Sequence, residues 1–188
     1  MNENLNQIGH NHGPSLEGGV SWRRHCWAQA RARLLPVLPV EVVRLRVRRA
    51  RELGLDYRTY AGVRAATGHD VVAFLFSSNA LRVSALRPAM PDQRAERLAG
   101  LVACGRVALA VAPLTAGMVE AANAGVLDGA HPAPFALAGF GEVRAALRHA
   151  LGRVPADQVV LVGDMALERD WCAAGRLAAY LPAERYFG

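Results

Sequence analysis

From residue 69 onward, the sequence predicts an α/β fold in which helices flank a small parallel sheet. Three short apolar runs predict buried strands over residues 71–76, 106–112 and 158–164. Helical patterns separate these runs, and strands that alternate with helices are typical of right-handed βαβ units. The predicted architecture is therefore a small parallel, Rossmann-like sheet, which a basic helical N-terminal segment precedes.

The helices of this predicted domain lie between and after the strands. Their patterns cover about residues 92–104, 116–124, 141–151 and 168–179. The stretch 125–139 is rich in Gly, Ala and Pro and predicts a loop. The last nine residues, 180–188, are predicted to pack back on the domain.

Two further segments precede the domain. Residues 1–19 are polar and lack periodicity, which predicts a disordered leader. Residues 20–68 predict three helices, over about 22–34, 40–53 and 58–67, because Pro36, Gly54 and Gly68 each follow one of them. The predicted organisation is thus a leader (1–19), an Arg-rich helical segment (20–68) and an α/β core domain (69–188).

The second predicted helix is amphipathic. Its apolar seam consists of Val40, Val43, Val47, Ala50 and Leu53. Five arginines flank this seam: Arg44, Arg48 and Arg51 on one side, and Arg46 and Arg49 on the other. The valine- and alanine-rich seam is better suited to packing on a protein core than to a membrane surface, where Trp, Phe and Leu prevail.

The positive charge of the chain is concentrated in the helical segment. All 22 basic residues are arginines, and the formal net charge is +6. Residues 20–68 hold eleven arginines against three acids, a net +8, whereas residues 69–188 hold eleven of each. A concentration of arginine on helices indicates contact with a polyanion or an acidic protein face.

Composition also excludes several classes of protein. No apolar run approaches the ~20 residues that span a bilayer, and the N-terminus lacks the apolar region of a secretory signal, so we expect a cytoplasmic protein. Three widely spaced cysteines, Cys26, Cys104 and Cys172, argue against a disulfide framework. The common nucleotide-binding, hydrolase-elbow and zinc-protease motifs are absent from the sequence.

A candidate site follows from the predicted sheet, because parallel sheets bind ligands beyond the carboxyl ends of their strands. Those ends carry Ser77, Ser78 and Asn79 after the first strand, and Asp164 with Glu168 after the third. In one reading these side chains only cap turns and helices. In the other, Asp164 and Glu168 hold Mg²⁺ while the serines and Asn79 contact a phosphate group.

Two of these patches resemble known motifs. The apolar run ending in Ser77-Ser78-Asn79, and Val-Leu-Val-Gly-Asp-Met-Ala-Leu-Glu over residues 160–168, are similar to the second and fourth motifs of the haloacid dehalogenase superfamily. The resemblance implies Mg²⁺-binding acids at Asp164 and Glu168 and a phosphohydrolase activity. The chain departs from that family in having neither its DxDxT-type nucleophile motif, of which Asp56 is the nearest imitation, nor any lysine.

The favoured function is therefore that of a non-catalytic binding or regulatory protein without a cofactor. Its arginine-rich helices would dock nucleic acid or an acidic protein partner, and the residues predicted to bind are Arg44, Arg46, Arg48, Arg49, Arg51, Ser77, Ser78 and Asn79. The alternative is a Mg²⁺-dependent, phosphohydrolase-like enzyme acting on a phosphorylated small molecule, with Asp164, Glu168 and Ser77 as its catalytic residues. No membrane partner is expected, and self-association remains open.

Overall fold

A five-stranded parallel sheet organises residues 38–188, the part of the chain that the computed structural model describes. The strands are β1 (Ala73–Ser77), β2 (Gly105–Ala110), β3 (Gly129–Pro132), β4 (Val159–Gly163) and β5 (Ala179–Pro182). The helices are α1 (Val40–Glu52), α2 (Tyr57–Thr67), α3 (Ser78–Leu81), α4 (Asp92–Ala99), α5 (Ala116–Ala122), α6 (Phe140–Leu151), α7 (Ala166–Gly175) and α8 (Ala183–Phe187). The predicted α/β class and parallel sheet are confirmed.

The strand order is β3-β2-β1-β4-β5, and every neighbouring pair is parallel. The first strand is central, and all five of its residues are buried. Alternate residues of β1 enter two different cores: Phe74 and Phe76 pack on one face of the sheet, and Leu75 on the other. This burial on both faces explains why the strand is a continuous apolar run.

The basic helices α1 and α2 share the first of these cores. Leu53, which follows α1, and Tyr60 of α2 belong to the same buried cluster as Phe74 and Phe76. At the other end of the chain, Tyr186 of α8 packs on Phe74 with 5.3 Å between ring centroids. Residues 41–188 accordingly form one compact unit.

The sheet has two more strands than the three predicted from the sequence. The prediction of a loop over residues 125–139 was wrong where β3 lies, and the last residues, which were predicted to pack back on the domain, form β5 and α8. Each missed strand has four residues and ends in proline, and each lies at an edge of the sheet. Edge strands bury less surface, so their sequences carry a weaker apolar pattern.

Two helices are shorter than predicted. The first, α4, ends at Ala99 because Gly100 follows it, and Ala103 then adopts a positive φ of 48°. The second, α7, ends at Gly175, where an added Cβ would lie 2.7 Å from Leu147, and Arg176 follows in the left-handed region. After that turn the chain continues into β5.

Several predictions concern residues that precede the described part of the chain. They include the disordered leader over 1–19, the helix over 22–34 and the expectation that Cys26 forms no disulfide. Within residues 38–188, every helix is too short or too polar to cross a membrane.

Candidate functional site

The carboxyl edge of the sheet contains a topological switch point. The chain runs from β1 to its neighbour β2 on one side, and later enters β4 on the other side of β1. In open parallel sheets, the connections on the two sides then diverge and leave a crevice at the strand ends. The residues after β1 and after β4 therefore border the place where this fold class binds ligands.

The two serines at the end of β1 serve the backbone. The Ser77 hydroxyl accepts a hydrogen bond from the Ala80 N–H at 3.0 Å and so caps α3. The Ser78 hydroxyl accepts one from the Val111 N–H, also at 3.0 Å, and ties the end of β1 to the chain that leaves β2. Both serines are buried, which gives their hydroxyls a structural use.

Asn79 and Glu168 meet across the switch point. The Asn79 amide donates to Glu168 Oε1 at 2.8 Å, and Glu168 Oε2 accepts from the backbone N–H groups of Asp164 at 2.6 Å and Met165 at 3.0 Å. Glu168 is the third residue of α7, where its charge also complements the helix dipole. A Cβ on Gly163 would lie 2.6 Å from this carboxylate, so glycine allows its close packing.

These residues do not fit a magnesium centre. Magnesium requires several oxygen ligands, but Glu168 is only 1% exposed and both of its carboxylate oxygens already accept hydrogen bonds. Asp164 joins this network only through its backbone N–H, and its side chain is exposed. No group of three or more His, Cys, Asp or Glu side chains within residues 38–188 is arranged to hold a metal ion.

An apolar cavity of about 330 Å³ opens on one side of Asn79 and Glu168. The ends of β2 and β3, the loop over residues 133–136 and helix α7 line it, and Phe135, Met165 and Trp171 are its large side chains. Trp171 is 2% exposed, and its indole N–H has no acceptor within the described part of the chain. The sequence predicted this region only as a loop, although its Pro-Ala-Pro-Phe run over residues 132–135 was a usable signal for an apolar wall.

A more polar cleft of about 430 Å³ lies next to this cavity. Asp164 lines the cleft, and its neighbour Met165 lines the cavity. Arg82, Arg94 and Glu184 also line the cleft, and the Arg94 guanidinium lies 4.4 Å from the centre of the Phe187 ring. Burial, assisted by Arg82, lowers the pKa of Arg94, although Asp164 acts in the opposite direction.

The arginines of α1 divide into two groups. Arg49 makes five hydrogen bonds: its guanidinium donates to the carboxylates of Asp70 and Glu52 and to the backbone oxygens of residues 71, 102 and 103. By contrast, Arg44, Arg48 and Arg51 are exposed along one side of the helix. Arg46 lines a groove of about 340 Å³ between α1 and α2, to which Arg64 also contributes.

Within residues 38–188, the remaining cysteines and histidines are Cys104, Cys172, His69, His131 and His149. Burial raises the pKa of Cys104 to about 12 and that of Cys172 to about 11, so both thiols stay protonated at neutral pH and are poor nucleophiles. The rings of His131 and His149 contact edge to face, with 5.5 Å between centroids. His69 lies 3.5 Å from Asp157 at the surface.

The fold and site define an open parallel α/β protein with a crevice at its topological switch point. Neither a protein-family model, nor a curated protein, nor a solved structure matches the chain. The crevice and the exposed arginines are therefore the features of the chain that bear on its function.

Proposed function

We propose that the protein is a binding protein whose small-molecule ligand occupies the apolar cavity at the carboxyl edge of the sheet. The observation that carries this proposal is a 330 Å³ cavity at the switch point, beside the hydrogen bond between Asn79 and the buried Glu168. Its volume falls within the ~300–1,000 Å³ typical of small-molecule sites, which are apolar with few polar groups. The location agrees with the general rule for parallel sheets.

The lining indicates what kind of molecule fits. Phe135 and Trp171 offer aromatic surface, and Pro132 and Pro134 add flat apolar walls. An acceptor on the ligand would satisfy the buried Trp171 N–H, which otherwise costs ~1–3 kcal/mol. A ring-bearing molecule with a carbonyl or ring nitrogen has both properties.

Trp171 provides a direct test. With Trp22→Phe and Trp27→Phe it becomes the single tryptophan, since the chain has three. We expect benzamide, nicotinamide or adenosine to change its fluorescence saturably, at roughly millimolar concentration for molecules of this size. Ala136→Phe narrows the exposed rim of the cavity and should weaken that binding about tenfold by steric exclusion.

The matched control is Leu137→Phe, an adjacent exposed position outside the cavity lining. It should bind these probes as the parent does. If no probe gives a saturable change, or if the Ala136→Phe and Leu137→Phe variants bind the probes equally well, the cavity is not the ligand site.

A second candidate function is the docking of nucleic acid or an acidic protein through α1. Its specific support is that Arg44, Arg48 and Arg51 project from one exposed side of the helix. Of these, only Arg48 has an acid within ion-pair distance in the described part, namely Glu52 at 3.9 Å. Arg46 and Arg64 extend the basic surface into the groove beside α2. Arg49 also lines this groove, but its guanidinium is already engaged in five hydrogen bonds within the fold.

Replacing Arg44, Arg48 and Arg51 together by glutamine tests this surface. For a fluorescent single-stranded oligonucleotide, the slope of log K against log salt should fall by about 2, because each lost phosphate contact contributes ~0.7. A control with the same loss of charge replaces Arg144, Arg148 and Arg153, which lie on or just after α6. Equal slopes in the two triple variants would contradict docking through the exposed arginines of α1. Competition by poly-glutamate then tests whether this surface accepts an acidic protein segment in place of nucleic acid.

A further inference from the structure

Arg94 occupies a position that is electrostatically unfavourable for a cation. It is the third residue of the eight-residue helix α4, and so lies in the first turn. The free N–H groups of a first turn carry partial positive charge and favour anions, as the preceding Asp92 illustrates. The fold therefore places an arginine in a helix turn whose partial positive charge is unfavourable for a cation.

The surroundings of Arg94 add to this cost. Its Nη1 is buried without a hydrogen-bond partner in the described part of the chain, and no acid there lies within ion-pair distance of Arg94. The nearby Arg82 is a second cation, which adopts a positive φ of 55° at the end of α3. Contact with the Phe187 ring is favourable for the guanidinium, but it gives Nη1 no hydrogen-bond acceptor.

A basic hollow elsewhere in the molecule holds its arginines in more favourable positions. Arg144, Arg148 and Arg176 line a cavity of about 230 Å³. Arg148 lies in the last turn of α6, and Arg176 caps the carboxyl end of α7. Cations at these helix ends are favourable, so the basic residues there have a structural reason. Arg94 has no such reason in its own helix.

We propose that the cleft between α3, α4 and α8 binds the phosphate group of a small molecule through Arg82 and Arg94. Two guanidinium groups can donate hydrogen bonds to phosphate oxygens, and an anion here also complements the first turn of α4. Asp164 and Glu184 line the same cleft and oppose a dianion, but a carboxylate can accept a hydrogen bond from a hydroxyl of the same molecule. The ligand class is therefore a hydroxylated phosphate monoester.

This inference goes beyond the proposed function, because phosphate binding in the cleft does not require an occupied apolar cavity. Its test is calorimetric titration of the full chain with inorganic phosphate and with glycerol phosphate, using chloride of equal ionic strength as the blank. We expect saturable binding of both, with glycerol phosphate the tighter ligand. Arg94→Gln should weaken both by at least about tenfold, and Arg82→Gln by a smaller factor.

Matched controls come from the other basic hollow. Arg176→Gln changes an exposed arginine with the same φ of 55° as Arg82, and Arg144→Gln changes a half-buried helical arginine like Arg94. Both should bind phosphate within about twofold of the parent, as should Ala136→Phe at the apolar cavity. Asp164→Asn should bind inorganic phosphate more tightly, because it removes a like charge.

Stability gives a second readout. Without phosphate, Arg94→Gln should not lower the Tm, since it removes an unpaired and partly desolvated cation. The absence of saturable phosphate binding by the parent, or equal binding by the Arg94→Gln and Arg144→Gln variants, would overturn the inference. Loss of ring-probe binding alone would overturn only the proposed apolar site.

Discussion

Replacing Glu168 by alanine is expected to lower the free energy of unfolding by about 3 kcal/mol. The carboxylate is buried and accepts three hydrogen bonds, from Asn79 and from the N–H groups of Asp164 and Met165. Its removal leaves these donors at the switch point without their acceptor, and each buried donor without a partner costs ~1–3 kcal/mol. The variant also loses the anion in the first turn of α7.

The measurement is urea denaturation, and the control is Glu142→Ala. Glu142 holds the same third position in α6 and accepts a hydrogen bond from the Gly139 N–H at 2.8 Å, but it is exposed. Water can replace its interactions, so we expect a loss of only about 0.5–1 kcal/mol. Equal losses in the two variants would mean that the buried network contributes nothing beyond ordinary helix capping.

Glu168→Gln separates charge from hydrogen bonding. Glutamine keeps one acceptor for the two backbone donors, but its NH2 group then faces the Asn79 NH2 group, and Asn79 can present its Oδ1 instead only by giving up the contact with Met165 Sδ. We expect an intermediate loss of about 1–2 kcal/mol. Adding Asn79→Asp in the same chain restores a donor–acceptor pair and should recover part of this loss.

The same network shows how far sequence reasoning reaches. The central strands were predictable, because burial on both faces requires continuous apolar runs such as 71–76. Parallel topology then places Asn79 and Glu168 at one edge of the sheet, as the sequence predicted. Their direct contact, and the use of both Glu168 oxygens within the fold, depend on how α3 and α7 turn away from their strands.

The convergence of Arg82 and Arg94 in one cleft was beyond sequence reasoning for a different reason. Arg82 and Arg94 lie 12 positions apart in the sequence, and neither belongs to a recognisable motif. They come together because Arg82 ends α3 in the left-handed region and a turn-rich segment then leads to α4. Periodicity identifies which faces of an element are apolar, but it does not show where polar side chains from separate elements converge.

Arg49 illustrates the same limit, because a helical wheel places it beside Arg46 as one more surface cation. The structure instead uses it to join α1 to the amino-terminal ends of β1 and β2, through Asp70 and the carbonyls of Val71, Val102 and Ala103. Burial acts to lower the pKa of Arg49, but its hydrogen bonds to Glu52 and Asp70 outweigh burial and raise it overall. The side chain is 17% exposed, which leaves little of it for a partner.

Arg49→Ala is accordingly expected to lower the free energy of unfolding by about 3 kcal/mol in urea denaturation, since three carbonyls and two carboxylates lose a shared donor. Arg48→Ala is the neighbouring control: its side chain is 71% exposed and its ion pair with Glu52 is long, at 3.9 Å, so its loss should stay below about 0.5 kcal/mol. Arg49→Lys keeps the charge but cannot reach the carbonyls that precede two strands with one ammonium group, so most of the loss should persist. If Arg49→Lys were as stable as the parent, the prediction would be contradicted, because the charge alone would then explain this position. If Arg49→Lys is destabilised, the geometry of the guanidinium, rather than its charge, joins the basic helix to the sheet.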